Sequence, residues 1–91
     1  MSKIFNILND KAVYKALVKN VGETYPFHLL EIASEKETIK EQIKTIINSI
    51  DDEINSDWTT KKEKKELEKV KKIILEKGGM SENEIYSKSL E

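Results

Sequence analysis

Six isoleucines, Ile39, Ile43, Ile46, Ile47, Ile50 and Ile54, step along the chain by 4, 3, 1, 3 and 4 residues. That spacing confines them to one stripe of an α-helix, and it lacks the alternation of period 2 that a strand requires. The positions between them are almost all charged or polar. A rod with one branched-aliphatic stripe does not hold itself together in water, because burying that stripe is what offsets the entropy of ordering the rod. Other helices must therefore cover it. The chain is expected to be all-α, a small antiparallel bundle forming a single domain over residues 1–91.

The other helices are legible from periodicity and caps. Ile4, Phe5, Ile7 and Leu8 open the chain as a short element over 3–8. Val13, Tyr14, Leu17, Val18 and Val21 form a different stripe, and Asp10 offers the N-cap between the two sets. The second helix is expected over 11–21, stopped by Gly22. Tyr25, Leu29 and Ile32 lie in phase with the isoleucine ladder, which argues for one helix over 27–55. Ser34 with Glu37 matches a capping box and argues for a break there; phase continuity favours a continuous helix, with a kink at Ser34 left open. Thr60 with Glu63 is a second capping box, opening a helix over 61–77 with Leu67, Val70 and Ile74 on its stripe and Gly78-Gly79 as its stop. Ser81 with Glu84 begins a last short element carrying Ile85, Tyr86 and Leu90. The terminal Leu90-Glu91 pair has the form of a cloning remnant and carries no structural weight.

Charge narrows the classes of partner. All sixteen basic residues are lysines, none is arginine, and the net charge is −1. Without guanidinium groups the chain lacks the bidentate fork that reads guanine edges and phosphates. The segment 28–58 is acidic and 59–79 is basic, so the long helix and its successor attract one another if antiparallel. There is no cysteine, which excludes disulfides and thiolate metal sites and fits a cytoplasmic protein. No apolar run reaches the length of a membrane span, and no basic stretch followed by an apolar segment marks a signal peptide.

Catalytic chemistry finds little to work with. His28 is the only histidine, and with Glu31 it makes at most half a metal site. An ordinary capping or partly buried histidine is the better reading. Asp51, Asp52, Glu53 and Asp57 gather at the end of the ladder helix but lack the glycine that a calcium loop needs. The serines have no nucleophile-elbow setting, and Gly78-Gly79 no phosphate-loop context. No cofactor, no metal and no enzymatic activity are expected. Tyr25, Phe27, Trp58 and Tyr86 fall at turns and helix ends, where large side chains usually plug a bundle's core. Trp58 is the best candidate among them for an exposed anchor to a partner protein.

Two stretches resemble known families. Leu29-Leu30-Glu31-Ile32-Ala33 followed by Ser34-Glu35-Lys36-Glu37-Thr38-Ile39-Lys40 looks like part of a helix-turn-helix DNA reader, without the residues that normally form its turn. That resemblance implies a transcriptional regulator acting through residues 29–43, with Lys36, Thr38, Lys40 and Gln42 toward the DNA groove. The run Ser49-Ile50-Asp51-Asp52-Glu53-Ile54-Asn55-Ser56-Asp57-Trp58-Thr59, with Leu67 and Val70 after it, is similar to the four-helix immunity proteins against pediocin-like bacteriocins. It covers about a third of the chain and transfers no residue roles.

The reading favoured by the residues is a small non-enzymatic protein-binding factor: an inhibitor, immunity or regulatory protein of the kind phages and mobile elements encode. It would act by occluding a partner's surface. The expected docking surface combines Trp58, the acidic end (Asp51, Asp52, Glu53, Asp57) and the lysine face of the next helix (Lys61, Lys65, Lys72). A homodimer is open if the isoleucine stripe is incompletely covered, and nucleic acid is a partner only under the helix-turn-helix alternative.

Overall fold

The computed structural model describes residues 3–86. Among the described residues six helices follow one another: α1 (Lys3–Leu8), α2 (Lys11–Asn20), α3 (Tyr25–Ser34), α4 (Ile39–Ile54), α5 (Lys61–Gly78) and α6 (Glu82–Tyr86). The all-α expectation holds. Leu90, placed by the sequence in the last element, lies outside the described residues.

The isoleucine ladder is the spine of the core. Ile43, Ile46, Ile47, Ile50 and Ile54 are buried on α4, and Ile39 is partly buried at its start. Leu67, Val70, Ile74 and Leu75 of α5 meet them, with Val13 and Leu17 of α2, Leu29 and Ala33 of α3, and Ile4, Ile7 and Leu8 of α1. The stripe is covered within one chain, which removes the reason for pairing it with a second copy.

The unbroken helix expected over 27–55 is instead two helices joined by a turn at 35–38. Ser34, Glu35, Lys36, Glu37 and Thr38 are all exposed. No burial holds those five residues helical, and helix stability in proteins comes mainly from a packed face. A single rod of that length would run about 43 Å at 1.5 Å per residue, against about 27 Å for α5, leaving its end uncovered. The cap is also not the one expected. The Ser34 hydroxyl turns back to donate to Glu31 O, while the Thr38 hydroxyl accepts the Glu41 N–H at 3.2 Å and starts α4. Phase continuity survives because a reversed chain still points both apolar faces inward.

The other expected boundaries stand to within one residue: the helix expected over 11–21 ends at Asn20, and the one expected over 61–77 includes Gly78. Asp10 caps α2 by accepting from Ala12 N and Val13 N, and the Thr60–Glu63 capping box is complete in both directions. Gly79 takes φ 70°, the left-handed cap that ends α5. Gly78 does more than stop the helix: a Cβ there would collide with Ile43 Cδ1. The end of α5 approaches α4 closely because that position is bare.

Side-chain pairs fix the directions. Asp10 meets Lys77 and Asn20 meets Glu66, so α2 runs antiparallel to α5. Asp51 meets Lys71 while Ile43 lies against Gly78, so α4 runs antiparallel to α5 as well. Tyr25 Oη lies 2.8 Å from Ser49 Oγ, closing the far end of an α3–α4 hairpin. No described helix is long and apolar enough to cross a membrane.

Candidate docking surfaces

Trp58 sits in the turn between α4 and α5, a segment tied down by the Thr59 hydroxyl donating to Glu53 O at 2.6 Å. Its side chain is 81% exposed. The expectation that the large residues at helix ends plug the core therefore holds for Tyr25 and fails for Trp58, for Phe27, which is 62% exposed, and for Tyr86, which is 43% exposed. Trp58 follows a helix stop and precedes a cap, so neither neighbouring helix carries it inward. Pro26 occupies the buried position at the start of α3 and turns Phe27 outward.

The acidic end does not act as a unit. Asp51 turns inward to Lys71 at 2.5 Å and accepts the Tyr86 hydroxyl at 2.7 Å. Lys71, absent from the expected surface, is 6% exposed. Its ammonium lies 5.3 Å from the Tyr86 ring centroid and 3.6 Å from Glu68. Burial opposes the charge on Lys71, but the hydrogen bonds to Asp51 and Tyr86 and the field of Asp51 outweigh it, so its pKa lies above the usual lysine value. Burial likewise pushes the Tyr86 hydroxyl up. This cluster fastens α6 onto the α4–α5 seam; it leaves no free carboxylate on Asp51. Its signal was present in the sequence, since Lys71 lies four residues from both Leu67 and Leu75, on the inward side of α5.

Asp52 and Asp57 remain exposed and Glu53 is half-buried. Lys61, Lys65 and Lys72 are exposed on one side of α5; Lys61, Lys62 and Lys65 border a concavity of about 410 Å³ beside the Trp58 turn, and Lys72 lies about two turns further on. The structure thus keeps Trp58, Asp52, Asp57 and the first lysines at one end of the molecule and withdraws Asp51 from the set.

A second surface was not foreseen. Of the α2 stripe, only Val13 and Leu17 are buried; Tyr14 and Val18 are half-buried. Tyr14 borders two depressions. One, of about 30 Å³, is shared with Phe5, Leu8, Pro26 and Phe27. The other, about 530 Å³, runs along α2 beside Ala12, Ala16 and Val18 and is edged by Lys15, Lys19 and Glu66. The Asn20 amide, donating to Glu66 at 2.8 Å, holds that carboxyl below the usual glutamate range, helped by Lys19 at 3.5 Å. Five apolar residues on a helix that buries only two were the available clue.

The helix-turn-helix positions are engaged in local structure. Thr38 caps α4, Gln42 Nε2 donates to Lys36 O at 3.0 Å, and Lys40 lies 3.9 Å from Glu84. Exposed Glu31, Glu35, Glu37 and Glu41 surround them. The α3–α4 pair also has the wrong opening. DNA-reading helix pairs cross at about 90–120°, which would place residues 25 and 49, each a helix arm of about 15 Å or more from the turn, far beyond a hydrogen bond. The Tyr25–Ser49 bond makes this an antiparallel hairpin. His28 is exposed and stacks on Tyr25 at 6.1 Å and 30° between ring planes. Among the described residues no three His, Cys, Asp or Glu side chains converge as a metal site.

No protein-family model matches the chain, and no curated protein or solved structure matches it.

Proposed function

We propose that this bundle is a non-enzymatic protein-binding factor that acts by occluding the surface of a partner, as a small inhibitor, immunity or regulatory protein does. One observation carries the reading: the chain's single tryptophan is 81% exposed on a turn held between two capped helices. Folding does not use that side chain. Tryptophan is the residue most enriched among interface anchors, because it brings a large rigid surface at small entropic cost. Exposed Asp52 and Asp57 precede that anchor in the chain, and the Lys61–Lys65 concavity follows it, so charges of both signs flank it in sequence. A partner would be selected by charge arrangement and held by the indole.

The test is site-directed photocrosslinking in the source cell, with p-benzoylphenylalanine replacing Trp58, or replacing Asn48 on the exposed side of α4 as control. A single adduct at position 58, absent at 48 and competed away by wild-type protein but not by Trp58→Ala, supports the reading. No adduct at 58 in cells that make the folded protein overturns it.

Regulation through DNA is the weaker reading. The turn at 35–38 supports it, and the hairpin geometry, the four surrounding glutamates and the absence of arginine oppose it.

A further inference from the structure

We propose that the outer side of α2 is a second docking site, and that its occupant is an acidic amphipathic helix of a partner protein. Three observations converge on that chemistry. The first is the uncovered apolar surface: Ala12, Ala16, Val18 and Tyr14 line a concavity of about 530 Å³. The alanines bring the α2 backbone close to whatever lies in it, while Tyr14 and Val18 are only partly covered by the bundle. The second is a row of cations. Lys11, Lys15 and Lys19 recur every four residues along the exposed side of α2, and at 100° per residue they run between Ala12 and Ala16 on one flank and Tyr14 and Val18 on the other. Among the described residues no carboxylate lies within ion-pair distance of Lys11 or Lys15, and only Lys19 is paired, to Glu66. The third is shape. The apolar surface is a trough along a helix ten residues long, about 15 Å, which matches another helix laid alongside.

These features define the occupant. Carboxylates repeated every three or four residues along a helix would meet the lysine row, and apolar side chains on the adjoining edge would lie in the part of the concavity floored by Ala12 and Ala16; this is recognition by a helix in a groove. An anionic bilayer offers the same charge but no side chains spaced at helical intervals beside it. The α2 site is independent of Trp58, which belongs to the α4–α5 turn.

Fluorescence anisotropy tests this with a labelled peptide of about three heptads, carrying leucine at a and d and glutamate at the flanking positions, titrated with the full chain. Binding is expected, weakening steeply with added salt, since the ion pairs are exposed. Lys11→Glu with Lys15→Glu should weaken it about tenfold or more; both lysines are exposed and neither has an ion-pair partner among the described residues, so the fold is expected to tolerate the change. Ala12→Arg fills the trough while adding positive charge, and should also weaken binding, whereas a site reading charge alone would bind more tightly. Trp58→Ala should leave binding unchanged. Absence of binding, binding that survives the lysine reversals, tighter binding by Ala12→Arg, or equal binding of the lysine counterpart peptide each overturns the proposal. So does lysine-dependent sedimentation with phosphatidylserine vesicles in place of peptide binding. Loss of the crosslink at position 58 with the peptide still bound would sink the Trp58 reading alone.

Discussion

The Lys71 ammonium lies 2.5 Å from Asp51 Oδ1 inside the seam between α4 and α5, with Tyr86 closing over it from α6. Opposite net charges on the two helices set up the attraction, but the lysine's position among Leu67, Val70 and Leu75 decides where it is spent. A pair so placed does not add its full Coulomb energy to stability, because both ions gave up water to reach it. It specifies instead: a rotation of α5 would bury the ammonium without its partner.

Removing one member should therefore cost more than removing the other. Asp51→Ala leaves the buried ammonium with only the exposed Glu68 carboxylate 3.6 Å away and is expected to destabilise by about 2–4 kcal/mol, the lower part of the range reflecting that remaining partner and the partial exposure of Asp51. Lys71→Met replaces the charge with an apolar chain of similar length and should lie within about 1 kcal/mol of the wild type, because the half-buried Asp51 can turn to water. Urea unfolding at neutral pH, read as a change in midpoint at constant slope, measures both.

Tyr25 makes stability fall at high pH. Burial, together with Glu53 and Asp52 nearby, pushes its hydroxyl up to about 12, against the pull of the Ser49 hydrogen bond. The unfolded chain releases that proton near pH 10 while the folded chain keeps it. The associated stability is fully present below about pH 10 and is lost as the pH rises toward 12, on the order of 2–3 kcal/mol in all. Lys71 and Tyr86 shift in the same direction. Tyr25→Phe should flatten the decline between pH 10 and 12, as followed by chemical unfolding at fixed pH steps; an unchanged slope would place the tyrosine outside the core.

Gly78 is a packing residue as well as a stop. Alanine normally improves a helix by about 0.8–1.0 kcal/mol over glycine. Here its methyl collides with the Cδ1 of fully buried Ile43, so Gly78→Ala should destabilise by about 1–2 kcal/mol. Ile43→Val removes the offending methyl, and the double variant should be more stable than the sum of the two single changes predicts, a coupling that a double-mutant cycle reads directly.

The α3–α4 hairpin should not bind DNA. Electrophoretic shift with random-sequence duplex at low salt is expected to show no complex at micromolar protein. A complex abolished by Lys36→Glu with Lys40→Glu would restore the helix-turn-helix reading.

Periodicity and caps carried most of the architecture. The isoleucine ladder, the Asp10 cap and the Thr60–Glu63 box are local signals whose meaning depends on a few adjacent residues, and each reads correctly. The break at 35–38 was misread because helical phase cannot distinguish a straight rod from a hairpin whose two arms face the same core. Deciding it required knowing how long the covering helix is. Lys71 and Gly78 were missed for a related reason: what they do depends on Asp51 and Ile43, twenty and thirty-five residues away. Tyr14 and Val18 were legible as an apolar face but not as an uncovered one, since nothing within α2 says how much of it α3 and α5 will hide.

Trp58 is the chain's only tryptophan, so its emission reports on the proposed anchor without labelling or substitution. Steady-state fluorescence with acrylamide quenching of the full chain, across a dilution series and then with a crosslinked or purified partner added, tests the account most directly. The expected result is a water-like emission maximum, quenched nearly as freely as the unfolded chain, that turns blue and protected only when the partner binds. A blue-shifted, quencher-resistant indole in the folded protein alone would contradict it.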